Sequence, residues 1–184
     1  GERVVVIGGG NTAIDAARSA RRLGAARVVI VYRRSRQEMP AIREEIDAAI
    51  EEGIAIHELV SPVRVQENDS SLSLTCQRMR LGEPDESGRA RPVPETTEDA
   101  FFDIPCDRVI LALGQTPDLS IIPEGSEIRE NGRLLGLAGS PVFCGGDLAG
   151  NEGTVSAAIG SGHLAALHIH RTLSGEDLFP PSPE

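Results

Sequence analysis

The most regular hydrophobic pattern lies at the start of the chain, where an apolar run, a cluster of glycines and a helical pattern follow one another. Residues 4–7 are a run of β-branched side chains, which is typical of a strand buried on both faces. From Asn11 onward, apolar residues recur at helical spacing, at Ala13, Ala17, Ala20 and Leu23, and Gly24 is placed to cap that helix. The pattern predicts a strand, a glycine turn and a helix in immediate succession.

The segments that follow predict two more strands and a second helix. The apolar run 27–32 is the second strand of a β-α-β unit, and residues 54–59 are the third. Between them, the helical spacing after Glu38 predicts a helix with Pro40 in its first turn and Gly53 at its end.

Beyond residue 60 the pattern changes to alternation. Residues 63–66, 71–76 and 101–104 predict an antiparallel meander laid on the parallel sheet, and the Pro- and Glu-rich loop 83–99 is expected to be mobile. The apolar run 107–114 is expected to return to the parallel sheet, so Gly114 and Gln115 would lie at the carboxyl edge, where ligands bind. The predicted fold class is therefore α/β, a Rossmann-like parallel sheet with helices and an antiparallel β-meander.

Two elements are predicted near the end of the chain. Residues 141–144 form a short strand that leads to a Gly-Gly-Asp sequence, and a helix runs from about Gly153 to Gly175. One side of that helix is apolar throughout, and it comprises Val155, Ala158, Ile159, Gly162, Ala165, Ala166 and Ile169.

Composition and charge exclude several classes of function. The chain has 184 residues and a net charge of −10, and all 18 of its basic residues are arginines. An acidic chain without tryptophan is poorly suited to nucleic acid, and the absence of lysine excludes a Walker phosphate loop. No apolar run approaches the roughly 20 residues that span a bilayer, so no membrane segment is expected.

The three cysteines, Cys76, Cys106 and Cys144, are isolated in the sequence. This spacing argues against an active-site disulfide, a zinc site and an iron–sulfur cluster within the chain, and it favours a cytoplasmic, reducing location. The histidines near the end of the chain have no evident third ligand, so no metal site is predicted. No side chain is predicted to be catalytic.

The opening turn reads G-x-G-x-x-A, and its position between a strand and a helix makes it a dinucleotide-binding fingerprint. Gly8 permits a tight turn, Gly9 lies within it, and Gly10 lets a pyrophosphate approach the backbone. The N–H groups and positive dipole at the helix start then face the phosphates. The side chains of Asn11 and Thr12 are candidates either for capping the helix or for contacting phosphate oxygens.

The end of the second strand indicates which dinucleotide is preferred. Domains that bind NAD usually place an acidic residue here to bind the ribose 2′-hydroxyl, but this chain has Arg33 and Arg34 and no acid before Glu38. A guanidinium binds a 2′-phosphate bidentately, so the sequence favours NADP(H) over NAD. The alternative is an exposed basic loop without a ligand.

The order of these motifs closely resembles the NADPH-binding domain of the glutamate synthase small (β) subunit and related flavoprotein oxidoreductases. The resemblance is carried by GGGNTAIDAAR at 8–18 and VYRRSRQEMPA at 31–41. It continues through RLGEPD at 80–85, ILALGQ at 110–115 and GGD at 145–147, and thus spans nearly the whole chain.

The resemblance implies two domains and two cofactors. Residues 1–113 would be an NADPH-binding domain, and residues 114–184 the C-terminal segment of an FAD-binding domain that begins at Gly114 and Gln115. Gly146 and Asp147 would then meet the ribityl–phosphate region of FAD, and the helix start would point at the isoalloxazine, through Gly153, Thr154 and Val155. The FAD fingerprint and a cysteine-rich cluster-binding region lie upstream in relatives, so this chain is expected to bind NADPH and to hold FAD weakly or not at all.

In the whole enzyme, the resemblance implies hydride transfer from NADPH to FAD and electron transfer to iron–sulfur centres in a partner. Two alternatives stay open at this stage, a reductase of the ferredoxin–NADP type and a non-catalytic NADPH-binding assembly module. If the missing part of the flavin domain would cover the apolar side of the last helix, that side is expected here to fold back on the first domain or to pair with a second copy of the chain.

Overall fold

The computed structural model describes residues 1–68, 71–85, 88–114, 118, 120, 127–128, 133–135, 142–149 and 153–175. The chain divides into two compact units, Gly1–Gln115 and Thr116–Glu184. Each unit is described by itself.

The first unit is built on a parallel sheet of four strands. These strands are β1 (Arg3–Ile7), β2 (Arg27–Tyr32), β3 (Ala55–Glu58) and β8 (Arg108–Leu111), in the spatial order β3-β2-β1-β8. Two helices connect the first three strands, α1 (Asn11–Arg22) and α2 (Arg43–Glu51). Because β8 pairs in parallel with β1, the apolar run after residue 106 does return to this sheet, as predicted.

Antiparallel strands form the second sheet of this unit. They are β4 (Val60–Asn68), β5 (Ser71–Pro84), β6 (Ala90–Pro94) and β7 (Phe101–Cys106), and β5 pairs with each of the other three. Part of the predicted loop 83–99 is regular structure, because it contains β6 and overlaps a one-turn helix at Glu98–Ala100. The mobility expected of this segment stays a prediction. The backbone of β6 pairs with β5, and β5 extends to Pro84, beyond the predicted strand at 71–76.

The parallel sheet is covered by a different layer on each face. On one face, Val6 and Ile30 pack with Ile14 of α1 and Ile46 of α2. On the other face, Val5 and Val31 pack with residues of the antiparallel sheet, namely Val60, Leu74, Cys76, Ile104 and Cys106. Since successive strand residues point to opposite faces, the β-branched runs supply both cores at once. The α/β class and the meander laid on the parallel sheet are confirmed.

The predicted helix ends differ from the observed ones in two places. Leu23 is 88% exposed, so the apolar stripe of α1 ends at Ala20. The stripe also includes the buried Ile14, which was not among the predicted positions. Pro40 lies before α2 rather than in its first turn, because the helix begins only at Arg43.

A bidentate ion pair joins the two ends of the first unit's sequence. The backbone N–H of Arg3 donates to Oδ2 of Asp107 at 2.7 Å, and its guanidinium donates to Oδ1 at 2.6 Å. These bonds hold the pKa of Asp107 at about 2, below its ordinary value of 3.8, and burial opposes them only weakly. The carboxylate therefore contributes stability only while it is ionised.

We expect Asp107→Asn to destabilise the first unit in a pH-dependent way. A lowered folded-state pKa means that the wild-type contribution is complete above pH 4 and disappears as the pH falls toward 2. The urea midpoint of the variant should therefore lie below that of the wild type at neutral pH and converge with it in acid. Asp47→Asn, at an exposed position on α2, is the control and should shift the midpoint little. A difference that stays constant with pH would contradict this account.

The second unit contains a short antiparallel sheet and a long helix. Its elements are β9 (Glu127–Ile128), β10 (Arg133–Leu135), β11 (Val142–Phe143) and α3 (Val155–Ser174), with β10 between the other two strands. Thr154 caps α3 by accepting from the N–H of Ala157, and Gly175 ends it with φ at 72°. Among the described helices, none is both long and apolar enough to cross a membrane.

Candidate functional site

Two glycines of the opening turn are required by packing. Gly8 has φ at +147°, and a Cβ there would overlap the carbonyl group of Ala112, just beyond β8. Gly9 lies against the ring of Tyr32, so a Cβ at that position would overlap ring atoms. Both glycines thus let the turn lie close to its own sheet.

Gly10 differs from its two neighbours, because a Cβ there would have no heavy atom within 4 Å. It occupies the N-cap position of α1 in an extended conformation, and no side chain caps this helix end. The Asn11 side chain does not cap it either, since Oδ1 accepts from the N–H of Ile42 at 2.9 Å. The positive end of α1 therefore faces open space at a glycine, which is an arrangement that binds phosphate.

The turn borders a cleft of about 530 Å³ that lies entirely within the first unit. This volume is in the range of small-molecule and cofactor sites. Its lining includes the three glycines, Thr12, Arg33, Arg34 and Gly114, which the sequence singled out, and also Tyr32, Pro62 and Arg89, which it did not. Gln115 lies outside the described residues.

The two arginines after β2 have different environments. Arg33 is exposed, whereas Arg34 is only 4% exposed. The guanidinium of Arg34 donates through Nε to the carbonyl of Ala90 at 2.9 Å, and Nη2 forms an ion pair with Asp85. Arg34 is thus bonded to the β5–β6 turn, although it also lines the cleft.

Glu38 connects the arginine loop to the same turn. Its Oε1 accepts from the N–H of Ala90 at 2.8 Å, and its Oε2 accepts from Ser35. Its backbone carbonyl accepts from the hydroxyl of Tyr32 at 2.9 Å. Arg89 was not predicted from the sequence, because the bonds from Arg34 and Glu38 to this region join residues about 50 positions apart. The Asp-x-x-Gly sequence at 85–88 is a local signal of a turn.

The residues that the resemblance assigns to FAD lie in the second unit. Gly146 and Asp147 are in a one-turn helix at Gly146–Leu148, and Gly153, Thr154 and Val155 are at the start of α3. Gly145, before the one-turn helix, packs closely on Gly162 of α3, where a Cβ would come within 2.9 Å of the Gly162 Cα. The Gly-Gly-Asp sequence is thus held directly on α3.

All three cysteines are described, and each is buried and free. Burial raises the pKa of Cys76 to about 12 and also raises the pKa of Cys106 and Cys144. Within the described part of the chain, no three His, Cys, Asp or Glu side chains come together in a way that could hold a metal ion. The three cysteine thiols are therefore poor nucleophiles, and none of them lines the cleft.

Comparison with known protein families identifies the chain. Residues 1–162 match the model of the pyridine nucleotide-disulphide oxidoreductase family. The chain belongs to this family. Members of the pyridine nucleotide-disulphide oxidoreductase family are enzymes that bind FAD and NADPH, so the resemblance drawn from the motifs is confirmed at the level of the family and its cofactors.

Three relatives show which branch of the family the chain resembles. It is 43% identical to the NADP(+)-dependent formate dehydrogenase subunit beta of Moorella thermoacetica and 42% identical to the NADPH-Fe(3+) oxidoreductase subunit beta of Geobacter sulfurreducens. It is 38% identical to the glutamate synthase [NADPH] small chain of Halomonas elongata. The matches cover 94%, 94% and 92% of this chain but only 25%, 30% and 38% of those proteins.

Solved structures of the same fold support the assignment of architecture. The chain superposes on T. acidophilum thioredoxin reductase with a TM-score of 0.68 at 20% identity, and on Mycobacterium tuberculosis FprA in complex with NADPH with a TM-score of 0.69 at 19% identity. Each match covers 95% of this chain and 53% of the other. At these identities the likeness concerns the fold.

Proposed function

We propose that the first unit binds NADPH and that the chain is the nucleotide-binding portion of a flavin-dependent oxidoreductase. The observation that carries the proposal is the uncapped start of α1 at Gly10, which opens into a cleft that also contains an exposed arginine after β2. Residues 1–113 would form the NADPH domain, and residues 114–184 would belong to an FAD domain.

In this proposal the backbone holds the pyrophosphate. The N–H groups of the first turn of α1, with Gly10, Asn11 and Thr12, donate to its oxygens, and Gly8 and Gly9 keep the turn low on the sheet. Arg33 binds the 2′-phosphate, because its side chain is exposed at the end of β2 and a guanidinium matches phosphate geometry. Because β2 and β8 lie on opposite sides of β1, the cleft has Arg33 and Arg34, which follow β2, on one side and Gly114, which follows β8, on the other.

The second unit would contact FAD through Asp147, Gly146 and the start of α3. The close packing of Gly145 on Gly162 of α3 supports this assignment, since it places the Gly-Gly-Asp sequence beside the helix. When bound, NADPH supplies a hydride to FAD, and the protein contributes orientation and electrostatics rather than an acid or a base.

We further propose that electrons pass from the flavin to iron–sulfur centres of a partner protein in a reducing, cytoplasmic setting. The relatives named as subunits support a multi-subunit enzyme, and the free cysteines suit a reducing compartment. On α3, Val155, Ile159 and Leu173 are 78%, 68% and 82% exposed, which supports contact with another protein surface, either the flavin domain or a second copy of the chain.

Calorimetric titration of the 184-residue chain with NADPH, NADH and FAD tests the proposal. We expect the wild type to bind NADPH more tightly than NADH and to bind FAD weakly or not at all. Arg33→Ala should weaken NADPH by about tenfold to thirtyfold and leave NADH nearly unchanged, because it removes a charge-assisted bond worth about 1.5–2 kcal/mol.

Arg36→Ala is the matched control, because Arg36 belongs to the same loop but does not line the cleft. It should leave both affinities within about twofold, because its partly exposed guanidinium faces Glu58, which also lies outside the cleft lining. Equal weakening of NADPH and NADH by Arg33→Ala, or no binding of NADPH by the wild type, would overturn the proposal.

A further inference from the structure

The β5–β6 turn brings a third arginine to the cleft. Arg89 lines it together with Arg33 and Arg34, although it is more than 50 residues away in sequence. The turn is closed by two backbone hydrogen bonds, from Asp85 N–H to the Arg89 carbonyl at 2.9 Å and from Gly88 N–H to the Asp85 carbonyl at 2.8 Å. Gly88 has φ at +75°, a conformation that favours glycine. The backbone of Arg89 is therefore held beside Asp85.

This turn is fastened to the arginine loop through both backbone groups of Ala90. The N–H of Ala90 donates to Glu38, and its carbonyl accepts from Nε of Arg34. The Arg34 guanidinium also pairs with Asp85, on the other side of the turn. Arg34 thus bonds to Asp85 at one end of the turn and to Ala90 at the other. Because a buried guanidinium is costly unless its N–H groups are bonded, loss of either bond would be unfavourable.

We propose that Arg89 forms the second half of the 2′-phosphate site and that Arg34 and Asp85 are positioning residues that hold it there. The inference rests on the proposed function. A 2′-phosphate carries nearly two negative charges, by analogy with other phosphomonoesters, so a single exposed guanidinium leaves about one of them uncompensated. Arg33 from the end of β2 and Arg89 from the β5–β6 turn supply two guanidiniums in one cleft.

Titration of the 184-residue chain with NADPH, NADH and adenosine 2′,5′-bisphosphate tests the role of Arg89. We expect Arg89→Ala to weaken NADPH and the bisphosphate by about tenfold, the equivalent of one charge-assisted bond, with NADH unchanged. Arg91→Ala is the matched control, since Arg91 is an exposed arginine of the same hairpin that does not line the cleft. It should leave all three affinities unchanged.

The two proposals fail separately in this experiment. If Arg33→Ala weakens NADPH while Arg89→Ala behaves like Arg91→Ala, the role of Arg89 is refuted and the NADPH site stands. If the wild type shows no preference for NADPH over NADH, both proposals fall. A loss of NADH affinity equal to that of NADPH in Arg89→Ala would show a general structural effect and would also refute the inference.

Asp85→Asn gives a test that depends on the sign of the effect. An anion that merely lay near the 2′-phosphate would repel it, so its neutralisation would strengthen NADPH binding. A positioning residue predicts the opposite, a several-fold loss for NADPH and none for NADH, because the Arg34 pair that holds the turn is broken. Tighter or unchanged NADPH binding by a folded Asp85→Asn chain, judged by its urea midpoint, would refute the positioning role.

Discussion

Gly8→Ala is expected to lower the free energy of unfolding of the first unit by about 4 kcal/mol, a large share of the total stability of an ordinary domain. Two costs combine at this position. An alanine at φ +147° is strained, and its Cβ would overlap the backbone of Ala112, which β8 and β1 hold in place. The Ala112 N–H donates to the carbonyl of Ile7 at 2.8 Å, so relief of the overlap would break that bond. Urea unfolding followed by circular dichroism measures the loss.

Gly24→Ala is the matched control for this prediction. Gly24 also has a positive φ, at +96°, but a Cβ there would have no heavy atom within 4 Å. Its substitution carries the backbone strain without the overlap and should cost only about 1 kcal/mol. If the two variants lose equal stability, the close approach of the turn to β8 contributes nothing.

Gly10→Ala is expected to leave the fold nearly intact and to weaken NADPH and NADH alike by about 100-fold. The backbone at Gly10 is extended, with φ at −88°, and the space around it is open, so an alanine costs only about 1 kcal/mol at this N-cap position. The same Cβ would occupy the space in which the pyrophosphate meets the helix start. Loss of that close approach removes two or more phosphate contacts worth about 2.7 kcal/mol in sum.

Calorimetric titration with both coenzymes separates this effect from that of the arginines. The pyrophosphate is common to NADPH and NADH, so Gly10→Ala should reduce both affinities, whereas Arg33→Ala acts on NADPH alone. Gly24→Ala, at the other end of α1 and away from the cleft, again serves as the control and should bind both as the wild type does. Affinities for Gly10→Ala within twofold of the wild type would place the pyrophosphate elsewhere.

The strands of the parallel sheet could be predicted because their residues carry the information locally. The β-branched runs of β1 and β2 are buried on both faces, and the return of β8 follows from an apolar run of the same kind. Small residues on α1 likewise predicted close packing, and Ala13 is fully buried. The glycine turn was recognisable since a strand and a helix flank it directly.

The pairing of β6 with β5 and the role of Arg34 could not be predicted, because they depend on partners elsewhere along the chain. Pro and Glu in the loop 83–99 favour an irregular segment on local grounds, yet β5 supplies the backbone partners for β6. A pair of adjacent arginines likewise looks equivalent in sequence. The partners Asp85 and Ala90 distinguish Arg34 from Arg33, and tertiary structure alone brings them together.

The contact between Gly9 and Tyr32 gives the molecule a built-in optical reporter. The sequence contains one tyrosine and no tryptophan, and that tyrosine lies beneath the glycine turn in the wall of the cleft. Ultraviolet emission from the protein thus originates almost wholly at one ring, which adjoins the segment where the pyrophosphate is proposed to lie. Events at this end of the cleft can be followed in the unlabelled chain, without a background signal from the second unit.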